Sequence, residues 1–155
     1  MPSSDSLSPE QRLQALEDER DIRDLLSRYG ESLDYGLEEQ FVSLFTEDGV
    51  WRSHRPRSGT KLISGADELT RFARNHTRAP MACHKHIAVD AQIVVDGDTA
   101  TCVSYFMRLD GRKDGKPSWI WGMGRYRDRL VRRDGRWLFL ERVAELEDDW
   151  DGRPA

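Results

Sequence analysis

The chain has 155 residues, of which 37% are hydrophobic and 34% charged, with 12 glycines and 6 prolines. That balance suits one soluble globular domain and excludes low-complexity, collagen-like and disulfide-scaffold chains. A net charge of −4 without a basic stacking motif argues against nucleic-acid binding. No apolar run is long enough for a membrane span or forms a secretory leader, so a cytoplasmic protein is expected.

Residues 1–8 read as a tail, and Ser8-Pro9-Glu10-Gln11 opens a helix: serine caps it, proline takes its first position and glutamine completes the capping box. Leu13, Leu16, Ile22, Leu25, Leu26, Tyr29 and Leu33 recur at helical spacing, extending the helix to about Ser32. Leu37, Phe41, Leu44 and Phe45 mark a second, short helix, which Glu47-Asp48-Gly49 ends with turn chemistry. The period then drops to two. Val50 to Ser53 and Lys61 to Ile63 read as short strands around a Pro56 to Gly59 loop. Ser64-Gly65-Ala66-Asp67 reads as a capping box for a third helix to about Asn75, with Leu69, Phe72, Ala73 and His76 as its core stripe and Pro80 behind it.

Four long strands follow, over 84–95, 99–109, 118–132 and 136–146. Asp96-Gly97, Asp110-Gly111 with Asp114-Gly115, and Asp134-Gly135 separate them as hairpin signals. Arg125, Arg127, Arg129, Arg132, Arg133 and Arg136 belong to the wet face of such a sheet. Trp137 with Phe139, and Arg142 opposite Asp128, are assigned to sheet packing and ion pairing. Helices ahead of antiparallel strands predict an α+β fold over residues 9–147. In it a curved antiparallel sheet forms a cone-shaped barrel on three helices, and an acidic tail occupies 148–155. Cys83 and Cys102 lack a CxxC spacing and read as reduced core thiols.

A sheet curled around a helix leaves a hollow in which small-molecule chemistry would take place. Of the four histidines, His84 and His86 stand two apart at the start of a strand and therefore share a face. Histidine titrates near neutral pH and suits proton transfer, so His86 is the candidate base and His84 a candidate pocket residue. Asp34 is either a turn aspartate before Gly36 or the carboxylate that orients the His86 ring; Tyr29 is either a core aromatic or a phenol that polarises a carbonyl. Trp51, Tyr105, Phe106, Trp119 and Trp121 are candidate pocket walls that would favour a ring-bearing apolar ligand. His84-x-His86 with Asp90 lacks HExxH, CxxC or facial-triad spacing, so no metal or other cofactor is assigned. A nucleophile elbow and a phosphate loop are likewise missing.

The run Asp21 to Leu26 through Tyr29 and Asp34, then Phe45-Thr46-Glu47-Asp48-Gly49-Val50-Trp51, resembles the SnoaL-like branch of the nuclear-transport-factor-2-like superfamily. Ser64-Gly65, His86 at a strand start, Val95 to Ala100, Gly124 to Asp128 and Arg133 to Trp137 continue the resemblance in order. The pattern is similar to scytalone dehydratase, hexachlorocyclohexane dehydrochlorinase and bile-acid 7α-dehydratase. Their likeness implies a His–Asp dyad, with His86 matching the base, Asp34 its orienting carboxylate and Tyr29 the assisting phenol. The sequence departs from the bile-acid enzyme in two places: Trp51 stands near where that enzyme has a pocket tyrosine, and Arg108 near where it has an additional acid. The implied activity is a cofactor-independent lyase or isomerase, dehydratase-like, acting on a hydrophobic cyclic small molecule, in a homodimer or homotrimer. The alternative is a non-catalytic ligand-binding protein or a structural subunit like those of ring-hydroxylating dioxygenases.

Overall fold

A computed structural model describes residues 7–56, 59–76, 84–111 and 118–147. The first helix, α1 (Pro9–Tyr35), begins with the expected box: Gln11 N donates to Ser8 Oγ at 3.3 Å, and Ser8 N donates to Gln11 Oε1 at 2.8 Å. It ends three residues later than expected, when Gly36 takes a left-handed φ of 68° that glycine adopts without strain. Asp34 therefore lies in the last helical turn instead of in a loop. Leu13 and Leu16, expected in the core, are 58% and 67% exposed, and the buried stripe starts at Asp18 and Ile22.

Next come α2 (Glu38–Ser43), β1 (Phe45–Arg55), β2 (Gly59–Ser64) and α3 (Gly65–Asn75). Glu47-Asp48-Gly49 is not a helix-ending turn but an irregularity inside β1. Phe45 pairs with Phe139 and Val50 with Glu141, so extra residues loop out between the two pairs. Ser64 caps α3 by position but makes no side-chain cap bond; instead its own N–H donates to Glu68 Oε2 at 2.8 Å. The chain closes with β3 (His84–Asp96), β4 (Thr99–Asp110), β5 (Trp119–Arg133) and β6 (Arg136–Leu146). The expectations for residues 1–6, Pro80, Cys83, Asp114-Gly115 and 148–155 fall outside the described residues.

The six strands form one curved sheet in the order β2-β1-β6-β5-β4-β3. It is mostly antiparallel and open: β1 and β6 run parallel, and β2 and β3 are its edges. β1 and β6 are the first and last strands of the chain and no hairpin joins them, so their parallel pairing closes a long crossover. The inner face meets α1 and α2 through Ile22, Tyr29, Leu33, Phe41 and Phe139, each at most 2% exposed. Truncating one such aromatic to alanine costs about 3–5 kcal/mol.

Strand β6 places Arg142 in this core, fully buried, opposite Asp128 of β5 with Nε 3.0 Å from Oδ1. The arginine forms a floor beneath Tyr29 and Tyr126, its guanidinium centre 4.0 and 3.9 Å from their ring centroids. Cys102 is a free buried thiol, as expected, and burial pushes its pKa up to about 11.

Candidate active site

Between the sheet and the helices lies a hollow of about 680 Å³, lined by Tyr29, Trp51, His76, His86, Phe106 and Trp121 among others. Its deepest feature is set by a close approach of α1 and β3. A Cβ on Gly30 would come within 3.0 Å of the His86 carbonyl oxygen, so glycine allows the strand to lie against the helix. One turn further along, the buried carboxylate of Asp34 meets His86 twice. The backbone N–H of His86 donates to Oδ2 at 3.1 Å, and the ring Nδ1 lies 2.7 Å from Oδ1. With an ionised carboxylate as partner, Nδ1 carries the hydrogen, which leaves Nε2 as the basic nitrogen of a ring that lines the hollow.

Tyr29 is 2% exposed, and Trp51 Nε1 donates to its hydroxyl oxygen at 2.8 Å. Its ring meets that of Tyr126 edge-on, with centroids 5.7 Å apart. Burial raises the phenol to about 12, so Tyr29 stays protonated at any physiological pH. Phe106 stacks on Tyr126 with ring centroids 4.4 Å apart. Trp121 is the residue skipped where β4 pairing shifts between Arg108–Gly122 and Leu109–Ile120, and it lies between Arg55 and Arg108, 5.1 and 4.6 Å from their guanidinium centres.

Two expected pocket walls are elsewhere. Tyr105 is 56% exposed because Phe106 takes the inward position and alternation turns its neighbour to the outer face. Trp119 pairs with Asp110 at the start of β5 and is not among the residues lining the hollow. His84 does share the inward face with His86 but is fully buried behind it, its Nε2 3.4 Å from Asp34 Oδ1. Asp90 is exposed at a positive φ of 54°, at the irregularity between Val89 and Gln92, away from the histidines. His76 was read as helix core. It follows α3 as its cap, lines the hollow, and has its ring centroid 5.2 Å from those of both His84, edge-on, and His86, tilted. Burial is the main cause that lowers His76 to about 3 and His84 to about 4, with repulsion from His86 and Arg108 adding to it, so both rings are neutral.

The SnoaL-like domain family matches residues 14–143. The chain belongs to that family. No curated protein matches this SnoaL-like chain. A variant of Rv3472, a protein of unknown function from Mycobacterium tuberculosis, is 30% identical; the match covers 93% of this chain and 78% of that one, with a TM-score of 0.73. An NTF2-like protein with a cystatin-like fold from Novosphingobium aromaticivorans is 24% identical over 97% of this chain and 94% of its own, with a TM-score of 0.80. A protein from the same organism assigned as a scytalone dehydratase is 24% identical over 91% and 93%, with a TM-score of 0.71. The last two establish the fold alone, an NTF2-like fold whose members include enzymes and proteins of unknown function. Among the described residues, no helix is long and apolar enough to cross a membrane.

Proposed function

We propose that this SnoaL-like protein is a cofactor-independent lyase of the dehydratase type, acting by His–Asp acid–base catalysis on a cyclic, mostly apolar small molecule. The observation that carries the reading is the buried Asp34 carboxylate, which holds His86 Nδ1 at 2.7 Å and its backbone amide at 3.1 Å beside an aromatic-walled hollow. A carboxylate spent on orienting one ring is typical of a base whose tautomer matters. In the proposed reaction His86 Nε2 removes a proton from the carbon next to a carbonyl, and Asp34 stabilises the imidazolium. Tyr29, held as a neutral phenol, donates a hydrogen bond to the carbonyl oxygen on which charge develops. The electron pair forms the C=C bond, the neighbouring C–O bond breaks, and the imidazolium returns the proton to the departing hydroxyl as water.

The lining adds a feature of the substrate. Arg55, Lys61 and Arg71 line the hollow without an ion-pair partner among the described residues, whereas its one acidic residue, Glu68, is engaged by Ser64 N–H. An anionic substituent such as a carboxylate, carried on a ring that packs against Trp51, Phe106 and Trp121, fits this distribution.

The test is a panel of cyclic β-hydroxyketones with and without a carboxylate, followed by enone absorbance and by deuterium exchange in mass spectrometry. Wild type is expected to convert a member of the panel, with His86→Ala and Asp34→Asn each losing about 10²–10⁴-fold while staying folded. A substrate turned over as fast by His86→Ala as by wild type ends the proposal. So does an inert panel whose members nevertheless bind in the hollow, which favours a ligand-binding role.

A further inference from the structure

The proposed acid–base chemistry gives His84 and His76 no part. His84 has no solvent exposure, and among the described residues neither of its ring nitrogens has a hydrogen-bond partner; nor does His76 Nε2. Buried imidazoles without partners are rare, because each unmade hydrogen bond costs about 1–3 kcal/mol. A third imidazole completes the group, for one ring nitrogen from each of His76, His84 and His86 lies within 4.8 Å of those of the other two.

The spacing of the rings is informative. Their centroids form a nearly equilateral triangle, 5.2 Å from His76 to His84, 5.2 Å from His76 to His86 and 5.4 Å from His84 to His86. A zinc–nitrogen bond of about 2.0–2.1 Å plus the distance from nitrogen to ring centre puts each centroid about 3.2 Å from the metal. At tetrahedral angles that separates the centroids by about 5.2 Å. The ligand field suits the same ion. Asp34 behind His86 supplies the carboxylate that commonly orients a metal-bound imidazole. The cation facing the cluster, Arg108, is paired with Asp110, Nε to Oδ1 at 2.7 Å.

We infer that His76, His84 and His86 form a three-histidine site for a divalent transition-metal ion of the zinc class, with Asp34 as the supporting carboxylate of His86. The fourth coordination position faces the hollow that His76 and His86 line. A bound ion occupies the His86 nitrogen that would otherwise accept a proton, so the metal-loaded and acid–base forms of the site are mutually exclusive. This inference goes beyond the proposed function and does not rest on it.

The test needs no substrate. Full-length protein stripped with chelator is titrated with Zn²⁺ by calorimetry, and with Co²⁺ by visible absorption, where three nitrogens around a four-coordinate ion give an intense d–d band. One ion per chain is expected. His76→Ala, which removes a ligand at a helix end without emptying the core, is expected to abolish the Co²⁺ band and weaken Zn²⁺ binding by at least about 100-fold. Asp34→Asn should weaken it by about 10–100-fold, and His54→Ala should leave it unchanged. Circular dichroism and thermal melts without metal show whether each variant is folded, and His84→Gln replaces His84→Ala if the latter is not. Failure to bind Zn²⁺ at micromolar concentrations overturns the site, and so does binding that survives His76→Ala. Because ion binding and turnover are read separately, loss of either proposal leaves the other standing.

Discussion

Replacing Arg142 with methionine keeps an unbranched apolar stem in the core and removes the charge paired with Asp128. Both side chains are fully buried, with Arg142 Nε 3.0 Å from Asp128 Oδ1 and Nη2 3.1 Å from Oδ2. Burial raises the Asp128 carboxyl to about 6 even with the arginine present. Without it the carboxyl must fold protonated, since an unpaired buried carboxylate costs more than neutralisation. Folded wild type already holds this proton below about pH 6, so the variant's obligatory proton costs extra only above that value, at about 1.36 kcal/mol per unit of pH: about 1.4 kcal/mol at pH 7 and close to nothing at pH 5. The folded variant binds the extra proton, so its stability is lost as pH rises and recovered as pH falls. Urea unfolding followed by tryptophan fluorescence should show the loss relative to wild type growing by about 1.4 kcal/mol from pH 5 to pH 7, a further drop in melting temperature of roughly 4 °C. Arg142→Met with Asp128→Leu should regain most of the loss, because no charge is then stranded. Equal destabilisation at both pH values would refute the reasoning, as would a loss below about 1 kcal/mol at pH 7.

Two further outcomes follow from the same packing. In metal-free protein, stability should fall as pH drops from 6.5 towards 4, because the unfolded chain protonates His76 and His84 while the folded chain, with pKa values near 3 and 4, refuses both protons. Asp128 opposes this with one proton between about 4 and 6, so these groups leave a net slope approaching about 1.4 kcal/mol per pH unit, readable from urea midpoints; a flat profile there contradicts the assigned environments. Gly30→Ala should destabilise the protein by about 1 kcal/mol despite alanine's better helix propensity, because its Cβ would lie 3.0 Å from the His86 carbonyl. The downfield Nδ1 proton of His86 should shift in the same variant, and an unchanged NMR signal would show that β3 does not hold the dyad through this contact.

What could be read from the sequence was what local chemistry decides. The Ser8 capping box, the Asp96-Gly97 and Asp134-Gly135 hairpins and the shared face of His84 and His86 depend on spacings of a few residues, and they appear where expected. Asp34 beside His86 was accessible through family likeness, since 52 residues separate them and no local signal joins them. The failures are tertiary. Leu13 and Leu16 keep the helical period but are exposed, in a stretch of α1 that precedes its first buried residue, Asp18. Tyr105 and Phe106 are equally aromatic, and only the strand register decides which faces inward. His76 carried the period of a core helix position, and nothing near it in sequence shows that β3 will bring two more imidazoles to it.

The position of Asp34 shows how far this site departs from what stability alone would select. A helix C-terminus carries partial negative charge and favours lysine, arginine or protonated histidine, yet the last turn of α1 holds a carboxylate and no basic residue. That carboxylate is also only 3% exposed. Its partners among the described residues come from β3, the backbone N–H and imidazole of His86 with His84 Nε2 3.4 Å away, delivered across the close helix–strand approach at Gly30. A purely structural aspartate has cheaper places to be. The arrangement gains something only if the imidazole it fixes has work to do at its other nitrogen, whether that nitrogen accepts a proton or holds a metal ion. A fold-neutral Asp34→Asn exchange that left both functions intact would therefore remove the reason for the carboxylate.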